Sequence, residues 1–348
     1  MNHIQFNLCR CLLLILLMSL SLFAQQKAPA NNLRNEEAKF SGHGVTLAGT
    51  LTLPKVTVPK KTPAVLLLGA FGATPRDGLA VTPTVIQPIY KLLAEHLAAQ
   101  GFVTFRYDKR CAGASGCQKE TTFEEIVDDA KAALELLRAR PEVDPAKIFV
   151  FGHSEGGQIA SIIAASEAKL AGLIMAAAPG RTLNKILREQ TVTRMREAKA
   201  PAEKIAAFTA KFDAFTRVMM SGDMSQMTLS FDPQDPNDVM MQTLVKQPGY
   251  TTPMFINDPL QNAQAVTAPV LLLQGDKDLS ITVKDAQFLN ESFMRLHHPD
   301  TTLKLLTDVN HLLKTNKAPA VTALSQDVTQ PLDASVLAAI NEWLAKRK

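Results

Sequence analysis

Residues 152–156 read Gly-His-Ser-Glu-Gly, which puts Ser154 in a G-x-S-x-G pentapeptide. A serine hydroxyl is a poor nucleophile at neutral pH. It needs a base in hydrogen-bond reach, and the base needs an acid that fixes its tautomer and stabilises its charged form. Downstream, Gly275-Asp276-Lys277-Asp278 offers acids and Asn310-His311 offers a base. Such a set performs acyl transfer through a covalent serine intermediate. The pentapeptide alone arises by chance in roughly one chain in ten of this length. Its surroundings must therefore carry the assignment.

Each of these residues follows an apolar run. Ile148 to Phe151 reads as a buried strand and Gln158 to Ala165 as a helix. Ser154 then sits on a sharp strand-to-helix turn, its backbone strained and its hydroxyl exposed. Gly152 and Gly156 leave room for chain passing close on both sides. Pro269–Gln274 is a strand ahead of the acids, and Thr302–Leu306 is one ahead of His311. In an open α/β sheet, reacting groups gather at the C-terminal ends of strands. Among the seven histidines only His311 lies just beyond a late strand. His3, His43 and His96 precede the serine, His153 points away from its hydroxyl, and His297 and His298 end a helix. His311 is thus the expected general base. Asp278 is the preferred acid over Asp276, because Gly275 can make the turn and leave the later residue reaching back. Asp276 would then bond the loop backbone. The oxyanion needs N–H donors, expected from Glu155 and from Phe71 in the loop Gly69-Ala70-Phe71-Gly72, with Ala70 as the alternative.

The elements that must hold these groups follow from periodicity. A hairpin is expected from Ala38 to Leu53 and a strand from Ala64 to Leu68. A helix follows from Ile86 to Gln100, and then a strand from Phe102 to Tyr107. Thr122 and Glu125 have capping-box spacing ahead of a helix whose Phe123, Ile126, Val127, Ala130, Leu134 and Leu137 share one face. Residues 64–177 alternate strand and helix, which argues for a mostly parallel sheet flanked by helices. From 181 to 262 the buried-strand runs vanish. Eight of the twelve methionines fall there, in helical patterns. This segment reads as a helical lid over the C-terminal strand ends, although any single methionine is more simply filler of the insertion's own core. The α/β pattern resumes at Ala268 and closes with a helix from Ala334 to Lys346. The expected organisation is a leader over 1–24, a flexible lead-in over 25–36, core over 37–180, lid over 181–262 and core over 263–348.

With 348 residues, 46% hydrophobic and 20% charged, the composition is that of a globular protein. A net charge of +4 without basic runs excludes a nucleic-acid arm. Arg10 precedes an apolar run, Cys11 to Ala24, of 14 residues. That is short of the roughly 20 a spanning helix needs. It has the layout of a cleaved secretory signal, giving a secreted or periplasmic protein with no stable membrane anchor. Cleavage leaves Cys111 and Cys117, six apart, able to close a small loop in an oxidising compartment. No CxxC or Cys/His grouping suggests zinc, and no cofactor or metal is expected.

Together, Gly69–Gly78, Phe102–Ser115, Gly152–Gly157, Gly275–Asp278 and Asn310-His311 resemble the α/β-hydrolase superfamily. The chain looks most like its secreted or periplasmic serine esterases, feruloyl and cinnamoyl esterase-like, and its serine aminopeptidase-like hydrolases. The likeness covers roughly 38–180 and 262–348. It implies a Ser154–Asp278–His311 triad and a small-molecule ester substrate. Two departures stand out. Many members have His-Gly where this chain has Gly69-Ala70, and Gly-x-Gly where it has Cys111-Ala112-Gly113. The second departure fits a Cys111–Cys117 bridge. An aminopeptidase-like activity would need lid carboxylates, for which Asp223, Asp232, Asp235 and Asp238 are available. A non-catalytic binding protein on the same fold is the remaining alternative.

Overall fold

A computed structural model describes residues 33–54, 61–80, 82, 85–118, 120–167, 169–317 and 328–348. The expected leader and most of the lead-in lie outside the described residues. The strands in chain order are β1 (Leu33–Gly42), β2 (Val45–Pro54), β3 (Thr62–Leu68), β4 (Leu79–Ala80), β5 (Ile86–Gln87), β6 (Val103–Tyr107), β7 (Val143–His153), β8 (Gly172–Ala176), β9 (Val270–Gly275) and β10 (Thr301–Leu306). Eight of them form one sheet in the order β1-β2-β6-β3-β7-β8-β9-β10, and β4 pairs with β5 apart from it. From β6 to β10 neighbours are parallel, while β1–β2 and β2–β6 are antiparallel.

The central strands are apolar on both sides because helices cover both faces. Along β7, Ile148 and Val150 face one cluster while Phe149 and Phe151 face the other. The first face packs on helices α2 (Phe123–Arg138), through Ile126, Ala130 and Leu134, and α3 (Glu155–Ser166), through Ile159 and Ile163. The second packs on α1 (Ile89–Ala99), through Leu93 and Leu97, and on the C-terminal helix Ala334–Ala345, through Val336, Ile340 and Trp343. Trp343 is buried, with its ring 6.0 Å from that of Phe149.

Between β8 and β9 the chain is helical: α4 (Leu183–Glu197), α5 (Ala202–Ser221), α6 (Pro236–Val245), α7 (Pro248–Ile256) and α8 (Pro259–Ala263), with one 3-10 turn at Met224–Gln226. Phe208, Phe212, Phe215, Met219, Met241 and Phe255 form a separate core there, with Met195, Met224, Met227 and Met240 packed on it. Most of the methionines thus fill the insertion itself. Met254 instead lies at the Ser154 cavity described below. Helix α9 (Val283–Arg295) follows β9 and starts with a Thr282–Asp285 capping box. Arg181, at the start of the insertion, grips Asp285 with two bonds of 3.0 and 2.7 Å. The C-terminal helix is α10.

Two boundaries differ from the sequence reading. β1 begins at Leu33, so residues 33–36 are strand rather than flexible lead-in. They pair with residues 51–54 of β2, and their edge position lets Arg34, Asn35 and Glu36 hide the alternation. Ile86 and Gln87 are extended and pair with β4, so helix α1 starts only at Ile89. Pro88 accounts for this, since the residue before a proline is pushed out of helical space. The hairpin turn is His43-Gly44, with Gly44 at φ 77°.

Candidate active site

The sheet's strand order reverses around β3. From β3 the chain runs outward to β6, then returns to β7 on the other side. The loops leaving β3 and β7 therefore part at this switch point, where ligands of open α/β sheets bind. One loop is Gly69–Gly72 and the other carries Ser154.

Ser154 has φ 56° and ψ −124°, a conformation that non-glycine residues adopt only when the surroundings enforce it. Its N–H donates to Ala176 O at 2.9 Å, and its own carbonyl takes the Gly157 N–H at 2.9 Å. Close backbone approach dictates the flanking glycines. A Cβ at Gly152 would lie 2.1 Å from Gly156 O, and one at Gly156 would lie 2.3 Å from Leu68 O.

His311 follows β10, and its Nδ1 lies 2.8 Å from Asp278 Oδ2. The carboxylate is buried and doubly anchored. Its Oδ1 accepts the N–H groups of Ser280 and Ile281 at 2.8 and 2.9 Å, and Gln274 Nε2 donates to Oδ2 at 3.2 Å. A carboxylate only accepts, so Nδ1 carries the proton and Nε2 is left with a free lone pair. Asp276 does something else: its Oδ1 accepts the Asp308 N–H at 2.7 Å and its Oδ2 pairs with Lys277 at 3.0 Å. It braces the loop that leads to His311. Among the described residues, Ser154 Oγ and the His311 ring make no hydrogen bond in this conformation; such contacts often tighten only around substrate.

His153 is buried and turned away from the serine hydroxyl. Its Nδ1 is 2.9 Å from Tyr90 Oη and its Nε2 is 2.7 Å from His311 O. Burial pushes its pKa down to about 3. Tyr90 Oη also takes the Ala70 N–H at 2.8 Å, which removes Ala70 as a free donor. The N–H groups of Phe71 and Glu155 donate to no other described residue.

Three residues of this neighbourhood escaped sequence reading. Lys109 follows β6 and is buried with its Nζ 2.5 Å from Glu155 Oε2. Tyr250 of α7 donates to Glu155 Oε1 at 2.6 Å. Tyr90 of α1 is the third. The available signal was the run Arg106-Tyr107-Asp108-Lys109-Arg110, charge directly after a buried strand. Asp108 in that run takes Arg76 Nε and Nη2 at 3.0 and 2.9 Å.

A cavity of about 50 Å³ opens at Ser154, lined by Phe71, Gln158, Pro179, Leu183, Ile186, Met254 and Ile281 among others. A larger one, about 540 Å³, lies across Phe71 between the Cys111–Cys117 loop and α7, and includes none of Ser154, Asp278 and His311. The Cα atoms of Cys111 and Cys117 are 4.3 Å apart. Of the insertion's carboxylates, Asp223 caps Ser225, Asp235 caps Asn237, Asp238 pairs with Lys211 and Asp232 accepts from Gln234. None of the four lines the Ser154 cavity. Among the described residues, no three His, Cys, Asp or Glu side chains cluster as metal ligands.

These elements have known counterparts. The model of the family described as "Serine aminopeptidase, S33" matches residues 88–317. Esterase EstD of Thermotoga maritima is 25% identical over 313 residues, covering 89% of this chain and 68% of that protein. The solved esterase Pf2001 of Pyrococcus furiosus superposes with a TM-score of 0.58 at 15% identity, over 90% of this chain and 91% of that one. Est1E of Butyrivibrio proteoclasticus, solved with ferulic acid bound, gives 0.54 at 15% identity over 89% and 98%. The two structural likenesses establish the fold. With two thirds of its length matched by the family model, the chain belongs to the serine aminopeptidase S33 family and is a hydrolase of the α/β fold.

Proposed function

We propose that the protein is an exported serine carboxylesterase acting on small-molecule esters through an acyl-enzyme on Ser154. The observation that carries this reading is the 2.8 Å Asp278–His311 pair on strand-end loops of the sheet that also holds Ser154 in its strained turn. In the first half-reaction, His311 Nε2 takes the Ser154 proton as Oγ attacks the ester carbonyl carbon. The carbonyl oxygen becomes an oxyanion held by the Phe71 and Glu155 N–H groups. Collapse of the tetrahedral species expels the alcohol, which leaves with the proton from His311. Water then repeats the sequence on the acyl-enzyme, releasing the acid and free Ser154. Asp278 keeps the imidazole oriented and stabilises its charged form.

The cavity of about 50 Å³ at Ser154, with Leu183, Ile186, Met254 and Ile281 on its walls, supports a short acyl group. The helical insertion supplies three of those four residues and so acts as the lid. A peptidase reading needs a carboxylate facing the substrate amine. No carboxylate of the insertion lines that cavity, Asp223, Asp232, Asp235 and Asp238 included, which favours the ester. The proposed export of the chain is consistent with a Cys111–Cys117 disulfide.

The test is hydrolysis of p-nitrophenyl acetate, butyrate and octanoate, beside a hydroxycinnamate ester and an aminoacyl p-nitroanilide. Turnover should be highest on the shortest esters and absent in Ser154→Ala. Activity retained by that variant would sink the assignment of Ser154, and faster cleavage of the anilide would move the protein to the peptidases.

A further inference from the structure

We infer that Lys109 is a positioning residue of the oxyanion site, aligning the Ala70–Phe71 peptide and neutralising the carboxylate of Glu155. The inference rests on the esterase reading above and adds a role for a residue outside the triad.

The argument starts from peptide geometry. In a trans peptide the C=O of one residue and the N–H of the next point in opposite directions. Ala70 O and Phe71 N–H belong to one such unit. Lys109 Nζ donates to Ala70 O at 3.0 Å and Thr74 Oγ1 donates to it at 2.9 Å. With the carbonyl held inward by these two donors, the Phe71 N–H is turned the other way and stays free. A cation on the carbonyl also polarises the peptide, which strengthens the N–H as a donor to a forming oxyanion.

The second part concerns charge. Glu155 supplies the other amide donor, yet its side chain is an acid buried beside the place where negative charge develops. Unneutralised, it would oppose that charge in a low-dielectric setting. Lys109 Nζ sits 2.5 Å from its Oε2. Both side chains are almost wholly buried, at 4% and 2% exposure. Tyr250 completes the cluster. Its hydroxyl donates to Glu155 Oε1 at 2.6 Å and accepts the Gly72 N–H at 3.0 Å. Burial and the adjacent Glu155 raise the Tyr250 hydroxyl well above its ordinary range, so it stays a donor. One ammonium and one phenol thus tie both donor loops to α7 of the helical insertion.

A pair with a merely structural role would affect stability and leave transition-state binding alone, and buried ion pairs are poor evidence of stabilisation in any case. The two roles separate with an oxyanion mimic. A methyl trifluoromethyl ketone accepts Ser154 Oγ at its carbonyl carbon. The serine proton passes to His311 and the former carbonyl oxygen becomes the anion. The experiment measures kcat and KM on p-nitrophenyl acetate and the ketone's inhibition constant for wild type, Lys109→Met, Lys109→Met/Glu155→Gln and Tyr250→Phe. For Lys109→Met we expect kcat to fall about 50-fold, somewhat less than the roughly 10²- to 10³-fold that removing an oxyanion donor itself costs. KM should stay within about threefold, and ketone affinity should fall in parallel with kcat. Removing the stranded carboxylate in the double variant should recover about fivefold or more. Tyr250→Phe should show a smaller loss in the same pattern, and it decides the matter if Lys109→Met fails to fold. Soluble variants whose kcat and ketone affinity match wild type would overturn the inference. So would a double variant no better than Lys109→Met. In either case Ser154-dependent wild-type turnover would leave the esterase reading standing, whereas its absence would end both.

Discussion

His153 Nε2 lies 2.7 Å from the main-chain carbonyl of His311, so the residue preceding Ser154 directly supports the loop that carries the imidazole. A carbonyl only accepts, which places the His153 proton on Nε2 and leaves Nδ1 to accept from Tyr90 Oη, 2.9 Å away. Tyr90 in turn receives the Ala70 N–H. An uncharged chain of hydrogen bonds therefore runs from the Gly69–Gly72 loop to His311, passing beneath the serine. It fixes both sides of the site relative to one another without placing a charge there.

The neutral state of His153 has a thermodynamic signature. Its pKa is about 3 in the folded protein, against roughly 6.5 for an unfolded histidine. Between these values the unfolded chain binds a proton that the folded one does not, so stability rises with pH. The contribution is fully present above about pH 6.5. It is lost on acidification at a rate approaching roughly 1.4 kcal/mol per pH unit. Urea unfolding of wild type and His153→Asn between pH 4 and pH 7 should show a shallower acid slope in the variant, whatever its stability at neutral pH. Equal slopes would mean that another group controls the acid limb.

The two aspartates of the β9 loop should separate cleanly. Asp278→Asn removes the acceptor that fixes the His311 tautomer, and kcat should fall by about 10³ to 10⁴. Asp276→Asn keeps an oxygen for the Asp308 amide, and its kcat should remain within about fivefold of wild type. Steady-state rates on one short ester suffice to check this. A larger loss at Asp276 would reverse the assignment.

The Cys111–Cys117 pair is exposed on the loop beside the larger cavity. With a separation of six residues, a bond between them would contribute about 2 kcal/mol by restricting the unfolded chain. Thiol titration of the unfolded, unreduced protein lacking residues 1–24 should find no free cysteine. Cys111→Ser/Cys117→Ser should unfold at lower denaturant with activity on short esters largely kept. Two titratable thiols would refute the bridge.

Much of this arrangement was legible in the chain because it follows from local rules. The apolar run Ile148–Phe151 is buried on both sides, and the Thr122–Glu125 capping box forms with both of its bonds. The preference for Asp278 over Asp276 followed from where a Gly275 turn leaves the chain, and it is Asp278 whose Oδ2 lies 2.8 Å from His311 Nδ1. Elsewhere long-range partners decided. Ile86 and Gln87 look helical by composition, but Pro88 and pairing with β4 make them extended. Leu33–Glu36 look like linker until β2 lies alongside. Tyr250 reaches Glu155 across 95 residues, and nothing in the helical pattern around it marks that hydroxyl. In the sequence Lys109 is one charge among several. Only the fold buries it against Glu155.

Trp343 is the only tryptophan of the chain, and it packs on Phe149 of the strand that leads to Ser154. Its emission is therefore an optical probe of the α/β core alone. The phenylalanine cluster of the insertion is dark at the same wavelengths. Far-ultraviolet ellipticity, by contrast, registers the helices of both. Recording the two signals along one denaturation curve distinguishes concerted melting from early loss of the insertion. The native protein thus carries its own label for asking whether the insertion opens independently of the α/β core.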